Sequence, residues 1–140
     1  MTNKNYITET KNQFKDKIIV ITGSTQGIGA ETAKLFASRG AKGIVICGRN
    51  EKQGLKVKEE IETVGSECIF VKADLAKIDD CKKVISSADN TFGTVNTFIS
   101  CAGFTERGTI LSTTLDNYEK NFNINARAPF FLMQDAIKIM

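Results

Sequence analysis

Residues 18–29 read Ile-Ile-Val-Ile-Thr-Gly-Ser-Thr-Gln-Gly-Ile-Gly, and this stretch decides the fold. An apolar run of the kind that forms a buried strand leads directly into a glycine-rich turn. Gly23 allows a tight exit from the strand, Gly27 leaves room for a pyrophosphate near the backbone, and Gly29 lets the next helix pack on the strand. The free N–H groups and the positive dipole end of that helix attract anions. The stretch therefore predicts a phosphate-binding turn.

The same glycines are compatible with other types of turn. A nucleotide triphosphatase loop would end in Gly-Lys-Ser/Thr, and this class is disfavoured because Ile28 stands five residues after Gly23 and no such ending follows. A tight turn with a purely structural role also fits a strand before it and a helix after it. Residues outside this stretch are needed to distinguish a phosphate-binding turn from a purely structural one.

Strand and helix patterns alternate along the chain. Helices are expected at about 28–39, from Asn50 to about 64, at 78–92 and from after Thr114 to the end, with further strands at 43–48, 67–73 and 94–101. Helices between consecutive strands indicate right-handed βαβ crossovers and a parallel sheet. The predicted fold class is α/β, a Rossmann-type doubly wound parallel sheet of about four strands in the order 3-2-1-4.

Candidate binding residues follow each strand of this sheet. They are Gly23 to Gly29 after the first strand, Arg49 after the second, Asp74 and Leu75 after the third, and Ala102 and Gly103 after the fourth. Ligands of such sheets bind beyond the carboxyl ends of the strands, where the strand order reverses. The crevice between the first and fourth strands is therefore the expected site, and dinucleotide binding is the favoured interpretation.

The end of the second strand bears on which dinucleotide is bound. An acidic residue there would bind the ribose 2′-OH of NAD and repel a 2′-phosphate. The chain has Cys47-Gly-Arg-Asn50 instead. The guanidinium of Arg49 carries a fixed charge and a fork of donors that suit a phosphate, which favours NADP. NAD is the alternative, because an arginine can also stack on adenine or remain solvated.

Five short motifs resemble those of a known family. They are Thr22-Gly-x-x-x-Gly-Ile-Gly29, Gly48-Arg49, Ala73-Asp-Leu75, Ser100-Cys-Ala-Gly103 and Asn123-Ile-Asn125. Their order and spacing resemble the short-chain dehydrogenase/reductase family over residues 16–140. The resemblance implies an NAD(P)-dependent oxidoreductase that transfers hydride between nicotinamide and a small carbonyl or alcohol substrate. Another Rossmann class, such as a methyltransferase, is disfavoured by the spacing from Thr22 to Gly29.

The resemblance also implies roles for single residues. The cofactor-binding set after the first strand comprises Gly23, Ser24, Gln26, Gly27, Ile28 and Gly29, with Ser24 placed to assist Arg49 at a 2′-phosphate. Asp74 would bind the adenine amino group and Leu75 would line the adenine slot, although Asp74 could instead cap the next helix. Ala102 and Gly103 would allow the cofactor close to the backbone. Ser100 and Cys101 replace the two asparagines usual in the family, which leaves their hydrogen bonds across the sheet in question.

Asn125 is the candidate catalytic residue. Tyr118 stands seven residues before it, where the family often has an aromatic residue, and this spacing selects Asn125 from its neighbours. In the family this asparagine holds a water that relays a proton to a lysine, and it often distorts its helix. The alternative is a side chain bonded to the backbone of an asparagine-rich helix.

In the family a serine and a Tyr-x-x-x-Lys motif, beyond the segment corresponding to Met140, carry the proton transfer. Thr10 and Phe122 stand four residues after Tyr6 and Tyr118, so the chain has no such pair. We therefore expect an NAD(P)-binding Rossmann domain at 16–140 that is incomplete at its carboxyl end. The polar residues 1–15 before it are expected to form a flexible leader. A catalytically inactive nucleotide-binding fragment is the alternative function.

Composition narrows the partners, the location and the chemistry. Nineteen Lys and Arg against sixteen Asp and Glu give a net charge of +3 without charge blocks, which argues against nucleic acid. No apolar run approaches the roughly 20 residues of a membrane helix, and no secretory signal begins the chain, so a cytoplasmic location is expected. The four cysteines form no C-x-x-C unit and histidine is absent, so we predict buried thiols, no metal site and no histidine-based catalysis.

The last helix is expected to carry an apolar face. Phe130, Phe131, Met133 and Ile137 belong to it. In the family the same helix commonly builds the subunit interface, so the resemblance implies a homo-oligomer through this helix. The loop 104–112 is expected to form one wall of the substrate site.

Overall fold

The computed structural model describes residues 10–140. Its strands are β1 (Ile18–Thr22), β2 (Gly43–Gly48), β3 (Glu67–Lys72) and β4 (Thr97–Ser100). Its helices are α1 (Gly27–Ser38), α2 (Glu51–Thr63), α3 (Ile78–Phe92), α4 (Leu115–Phe122) and α5 (Ala128–Ile139), with a π-helical segment, Asn123–Arg127, between α4 and α5. Within the described residues the strands pair in parallel in the order β3-β2-β1-β4, which confirms the predicted fold class and strand order.

Helices cover both faces of the sheet because side chains alternate along each strand. Ile19 and Ile21 of β1 lie in the core that the sheet shares with α1 and α2. Val20 lies in the opposite core, shared with α3 and α5. These three side chains are fully buried, and each contributes about 1.5–3 kcal/mol of transfer free energy. The apolar run of β1, which precedes the glycine-rich turn, therefore explains why helices pack on both faces of the sheet.

Most element boundaries lie within one residue of their predicted positions, and the helix ends use the predicted signals. Asn50 caps α2, because its Oδ1 accepts a hydrogen bond from Gln53 N at 3.1 Å. Gly93 ends α3 with a φ of 71°, in the left-handed region that glycine adopts without strain.

Strand β4 is shorter than the predicted strand, 94–101. Asn96 supplies a side-chain substitute for backbone pairing at its start. Ile18 N donates to Asn96 Oδ1 at 2.8 Å, and Asn96 N donates to Ile18 O at 2.9 Å. The regular ladder with β1 therefore begins only at Thr97, which pairs with Ile19.

The prediction of one continuous helix from after Thr114 to the end of the chain is wrong, because the π-helical segment Asn123–Arg127 interrupts it. In the π-helical segment Ala128 N donates to Asn123 O, five residues back. Pro129 follows and has no N–H, so the carbonyl of Asn125 cannot receive the usual helical hydrogen bond from it. The wider turn places Asn125 in the distorted part of the helix, as the family resemblance implied.

The predicted leader, 1–15, is described only from residue 10 onwards, and residues 1–9 lie outside the described residues. Phe14 packs on Phe36 of α1 with ring centroids 4.5 Å apart, and Phe14 N donates to Arg39 O at 3.0 Å. Lys15 forms an isolated bridge with Ala41. Residues 14 and 15 are therefore part of the packed domain. No helix in the described range is both long and apolar enough to cross a membrane.

Candidate functional site

A cavity of about 580 Å³ lies beyond the carboxyl ends of the strands. Its walls come from the turn after β1 and from the first residues after β2, β3 and β4. The predicted binding residues that line it are Gly23, Gln26, Gly27, Ile28, Gly29, Arg49, Asp74, Leu75, Ala102 and Gly103. The cavity spans the point between β1 and β4 where the strand order reverses. The structure therefore brings together residues that the sequence spreads over 81 positions, from 23 to 103.

Three glycines of the turn have different surroundings. A Cβ at Gly23 would lie 2.6 Å from Ala102 Cα, and a Cβ at Gly29 would overlap the carbonyl group of Gly23. Gly27 has a φ of 56°, and a Cβ there would meet nothing within 4 Å. Packing therefore requires glycine at 23 and 29, whereas Gly27 keeps a surface of the cavity open.

The first amides of α1 lack a capping side chain. Its N-cap residue, Gln26, makes no side-chain capping bond, and no acidic residue lies in the first turn. Within the described residues, the amides of Gly27 and Ile28 have no protein acceptor. By contrast, α2 is capped by Asn50 and α4 by Thr114. The open end of α1 carries unsatisfied donors and the positive pole of the helix into the cavity.

Ser24 does not line the cavity, which corrects its predicted position beside a 2′-phosphate. Its side chain is fully buried, and its hydroxyl donates to Ile21 O at 2.6 Å and accepts from Cys47 N at 3.0 Å. Ser24 N also donates to Cys47 O at 3.1 Å. The hydroxyl is thus used to join the turn to the end of β2, where Cys47 N needs an acceptor.

The hydrogen bonds between Ser24 and Cys47 place Arg49 beside the turn. A Cβ on Gly48 would lie 2.6 Å from the Thr25 side chain, so the end of β2 and the turn are in close contact. Arg49 follows immediately, is exposed, and has no hydrogen bond or ion pair within the part of the chain that the structure describes. The nearby acid Glu51 is neutralised by Lys72, with Oε2 and Nζ 3.1 Å apart. The guanidinium is therefore available to an anion.

Asp74 and Leu75 form the wall after β3. Asp74 Oδ1 accepts from Ala76 N at 3.1 Å, and Asp74 N donates to Asp80 Oδ2 at 2.7 Å. The N-cap residue of α3 is Lys77, with no side-chain cap, so the alternative in which Asp74 caps this helix is not found. Leu75 is buried, and the small part of it that stays accessible lines the cavity.

The residues after β4 approach the turn without the asparagines that are usual in the family. Ala102 N donates to Thr22 Oγ1 at 3.3 Å, which is a bond from the fourth strand to the end of the first. Phe104, the first residue of the loop expected to form a wall of the substrate site, lines the cavity. Thr25, Gln53 and Ile124 also line it and were not predicted. Thr25 and Ile124 are each adjacent in sequence to a predicted site residue, whereas Gln53 has no such signal.

Asn125 lies next to the cavity and pairs with the main chain of Phe104. Its Oδ1 accepts from Phe104 N at 2.9 Å, and its Nδ2 donates to Phe104 O at 2.6 Å. The side chain is bonded to the loop after β4 rather than to the backbone of its own helix. Tyr118 does not line the cavity and stacks on Phe122 with centroids 4.5 Å apart.

The cysteines behave as the prediction of buried thiols requires, except for the partly exposed Cys101. Burial raises the pKa of Cys47 to about 12 and that of Cys68 to about 12, and it also raises the pKa of Cys81. These three thiols stay protonated at neutral pH and are poor nucleophiles. Among residues 10–140 no cluster of three or more His, Cys, Asp or Glu is arranged to hold a metal ion.

The family comparison agrees with this geometry. Residues 17–140 match the short chain dehydrogenase family, and the chain belongs to that family. It is 33% identical over 126 residues to the uncharacterized oxidoreductase YxnA of Bacillus subtilis, covering 90% of this chain and 35% of that protein. It is 34% identical over 122 residues to a probable tetrahydroxynaphthalene reductase of Zymoseptoria tritici, covering 87% of this chain and 46% of that protein.

Solved structures share the fold and were determined with different nucleotides. L-sorbose reductase from Gluconobacter frateurii, complexed with NADPH and L-sorbose, superposes with a TM-score of 0.87 at 25% identity, covering 93% of this chain and 49% of that chain. The NADH-dependent reductase A1-R′, complexed with NAD, superposes with a TM-score of 0.84 at 25% identity, covering 91% of this chain and 53% of that chain. The chain thus spans about half the length of these structures and of most curated relatives it matches.

Proposed function

We propose that this chain provides the dinucleotide-binding site of an NAD(P)-dependent oxidoreductase, with NADP(H) as the preferred cofactor. The observation that carries the proposal is that one cavity contains both the uncapped N-terminus of α1 and Arg49, which has no hydrogen-bond or ion-pair partner among residues 10–140. A bound nicotinamide would exchange hydride with a small carbonyl or alcohol substrate. The substrate itself is left unassigned.

The residues present fit such a cofactor. The open space at Gly27 and the free amides at the start of α1 suit the pyrophosphate. Asp74 and Leu75 would hold the adenine, and Ala102 and Gly103 would accept the other half of the cofactor near the backbone. The exposed guanidinium of Arg49 would bind the 2′-phosphate without the help of Ser24.

The proposal includes two further properties, a preference for NADP(H) and association with a second copy of the chain. The structural relatives are complexed with NADPH in one case and NAD in the other, so the preference for NADP(H) rests on Arg49 in this chain. The exposed apolar side chains of α5, among them Phe130 at 57% and Ile137 at 68% exposure, support association with a second copy through this helix.

Arg49→Glu is expected to reverse the cofactor preference. It replaces a phosphate partner with a like charge that can accept a hydrogen bond from a free ribose hydroxyl. Hydrogen bonds to charged groups contribute about 1.5–3 kcal/mol, so NADPH affinity should fall about 10- to 100-fold while NADH affinity is kept or improved. Isothermal titration calorimetry with both nucleotides measures the change.

Arg39→Glu is the matched control, since it makes the same charge change beyond the far end of α1, where Arg39 contacts Gln13. It should leave the ratio of the two affinities unchanged. Equal ratios in Arg49→Glu and the original chain would contradict the assignment of Arg49 to the 2′-phosphate.

Nucleotide binding without turnover is the second candidate function for the 140 residues. Within the described residues, no tyrosine, lysine or histidine lines the cavity, so no such group is placed to donate a proton to a substrate at neutral pH. General acid–base help of this kind contributes about 10²- to 10⁴-fold in rate. We expect the 140-residue polypeptide to oxidise NADPH no faster than background in the presence of carbonyl compounds. Steady oxidation that scales with protein concentration and is lost in Gly27→Val would contradict this expectation.

A further inference from the structure

Three residues from separate segments meet at the β4 end of the cavity. Phe104, which lines the cavity, is held twice: the Asn125 amide pairs with its backbone N and O, and Lys120 Nζ lies 4.5 Å from the centroid of its ring. We refer to Phe104, Lys120 and Asn125 as the Phe104 clamp. The main chain and the ring of Phe104 therefore contact different partners, and Lys120 is the residue whose cation lies over the ring.

Lys120 contacts the aromatic ring although carboxylates are close in sequence. Asp116 stands one helical turn earlier and Glu119 is its neighbour, and all three line a second cavity of about 250 Å³. Within residues 10–140, neither carboxylate is within ion-pair distance of Lys120. The ammonium group instead makes a cation–π contact, which contributes about 0.5–1 kcal/mol at exposed sites.

The position of the ring along the cavity identifies the part of a dinucleotide that it would face. In this fold the adenosine half lies over the strand ends on the side of the second strand, where Arg49 and Asp74 stand here. The other nucleoside lies across the switch point, beyond β4. Phe104 follows β4 and Gly103, and thus belongs to the nicotinamide half.

We propose that Lys120 is a positioning residue that holds the Phe104 ring as a wall for the nicotinamide half of the cofactor. The inference rests on the proposed function. It adds a residue that affects binding of the nicotinamide half of the cofactor and not of the adenosine half. Removing the ammonium group frees the ring without altering the open end of α1 or Arg49. Affinity for the whole dinucleotide then falls, while affinity for its adenosine half does not.

The test compares NADPH with adenosine 2′,5′-bisphosphate, which carries the 2′-phosphate and adenine but no nicotinamide. Lys120→Met keeps the length of the side chain and removes the charge, and it should weaken NADPH binding about two- to fivefold. Binding of the bisphosphate should be unchanged. Lys120→Arg keeps a cation and should restore NADPH affinity, and Lys82→Met controls for loss of one positive charge at an exposed position.

A double-mutant cycle with Phe104→Leu ties the effect to the ring. The loss caused by Lys120→Met should disappear in the Phe104→Leu background. Equal weakening of both ligands, or a Lys120→Met effect that persists without the ring, would overturn the proposal. If the original chain binds both ligands and Lys120→Met leaves NADPH affinity unchanged, only the clamp inference fails. If the folded original chain binds neither ligand, the proposed function fails with it.

Discussion

Gly27→Val is expected to abolish NADPH binding while leaving most of the helix content. Gly27 begins α1 and lines the cavity, and no atom of the described residues lies within 4 Å of a Cβ built on it. The valine side chain would therefore extend into the space proposed for the pyrophosphate and cover the free amides of the first turn. We expect affinity to fall by more than about 100-fold, since charge-assisted hydrogen bonds to the phosphates would be lost together. Fluorescence titration with NADPH and circular dichroism measure the two properties.

Gly93→Val separates this effect from backbone strain. Gly93 has a φ of 71°, close to the 56° of Gly27, and a Cβ there also meets nothing within 4 Å. It ends α3 and does not line the cavity. Both variants carry a β-branched residue in the left-handed region, so both should lose some stability. Retained NADPH binding in Gly27→Val, or equal losses in the two variants, would contradict the phosphate-binding turn.

Gly29→Ala is expected to destabilise the fold itself. Gly29 is buried, and its added methyl group would overlap the Gly23 carbonyl, which is backbone and cannot rotate away. Overpacking of this kind typically costs about 1–3 kcal/mol, and the turn would have to shift to relieve it. Urea denaturation followed by circular dichroism measures the loss in free energy of unfolding.

The control for Gly29→Ala is Gly65→Ala, at a position where a Cβ meets nothing within 4 Å. Gly65 has a φ of 102°, so its substitution carries backbone strain but no overlap. The loss in Gly29→Ala should be accompanied by weaker NADPH binding, because the turn is displaced, whereas Gly65→Ala should bind normally. An unchanged urea midpoint in Gly29→Ala would show that helix and strand do not need this close contact.

The fold could be predicted from local patterns because each signal acts over a few residues. Apolar runs between polar helices located the strands, and Asn50 and Gly93 marked helix ends with side-chain and backbone chemistry that the structure retains. The effects of Asn96 on β4 and of Pro129 on the last helix were not predicted. The shortened β4 depends on a side chain that pairs with Ile18, which is 78 residues away, and such a contact leaves no periodic signal.

The sequence predicted where the cavity lies but not which side chains point into it. Residues that follow parallel strands must reach the same edge of the sheet, and this located Arg49, Asp74 and Gly103. Ser24 is in the same turn, yet its hydroxyl points inward because Cys47 N needs a hydrogen-bond acceptor. Phe104 and its contact with Lys120 depend on the path of an irregular loop, for which the sequence contains no repeating pattern.

Calorimetric titration of the folded 140-residue chain with NADPH and with NADH tests the central claim most directly. The cavity, the open end of α1 and Arg49 together predict one NADPH bound per chain, more tightly than NADH. They also predict that raising the salt concentration weakens NADPH more than NADH, because the 2′-phosphate adds charge to the interaction. A folded chain that binds neither nucleotide at millimolar concentration would contradict the proposal that this cavity is a dinucleotide site.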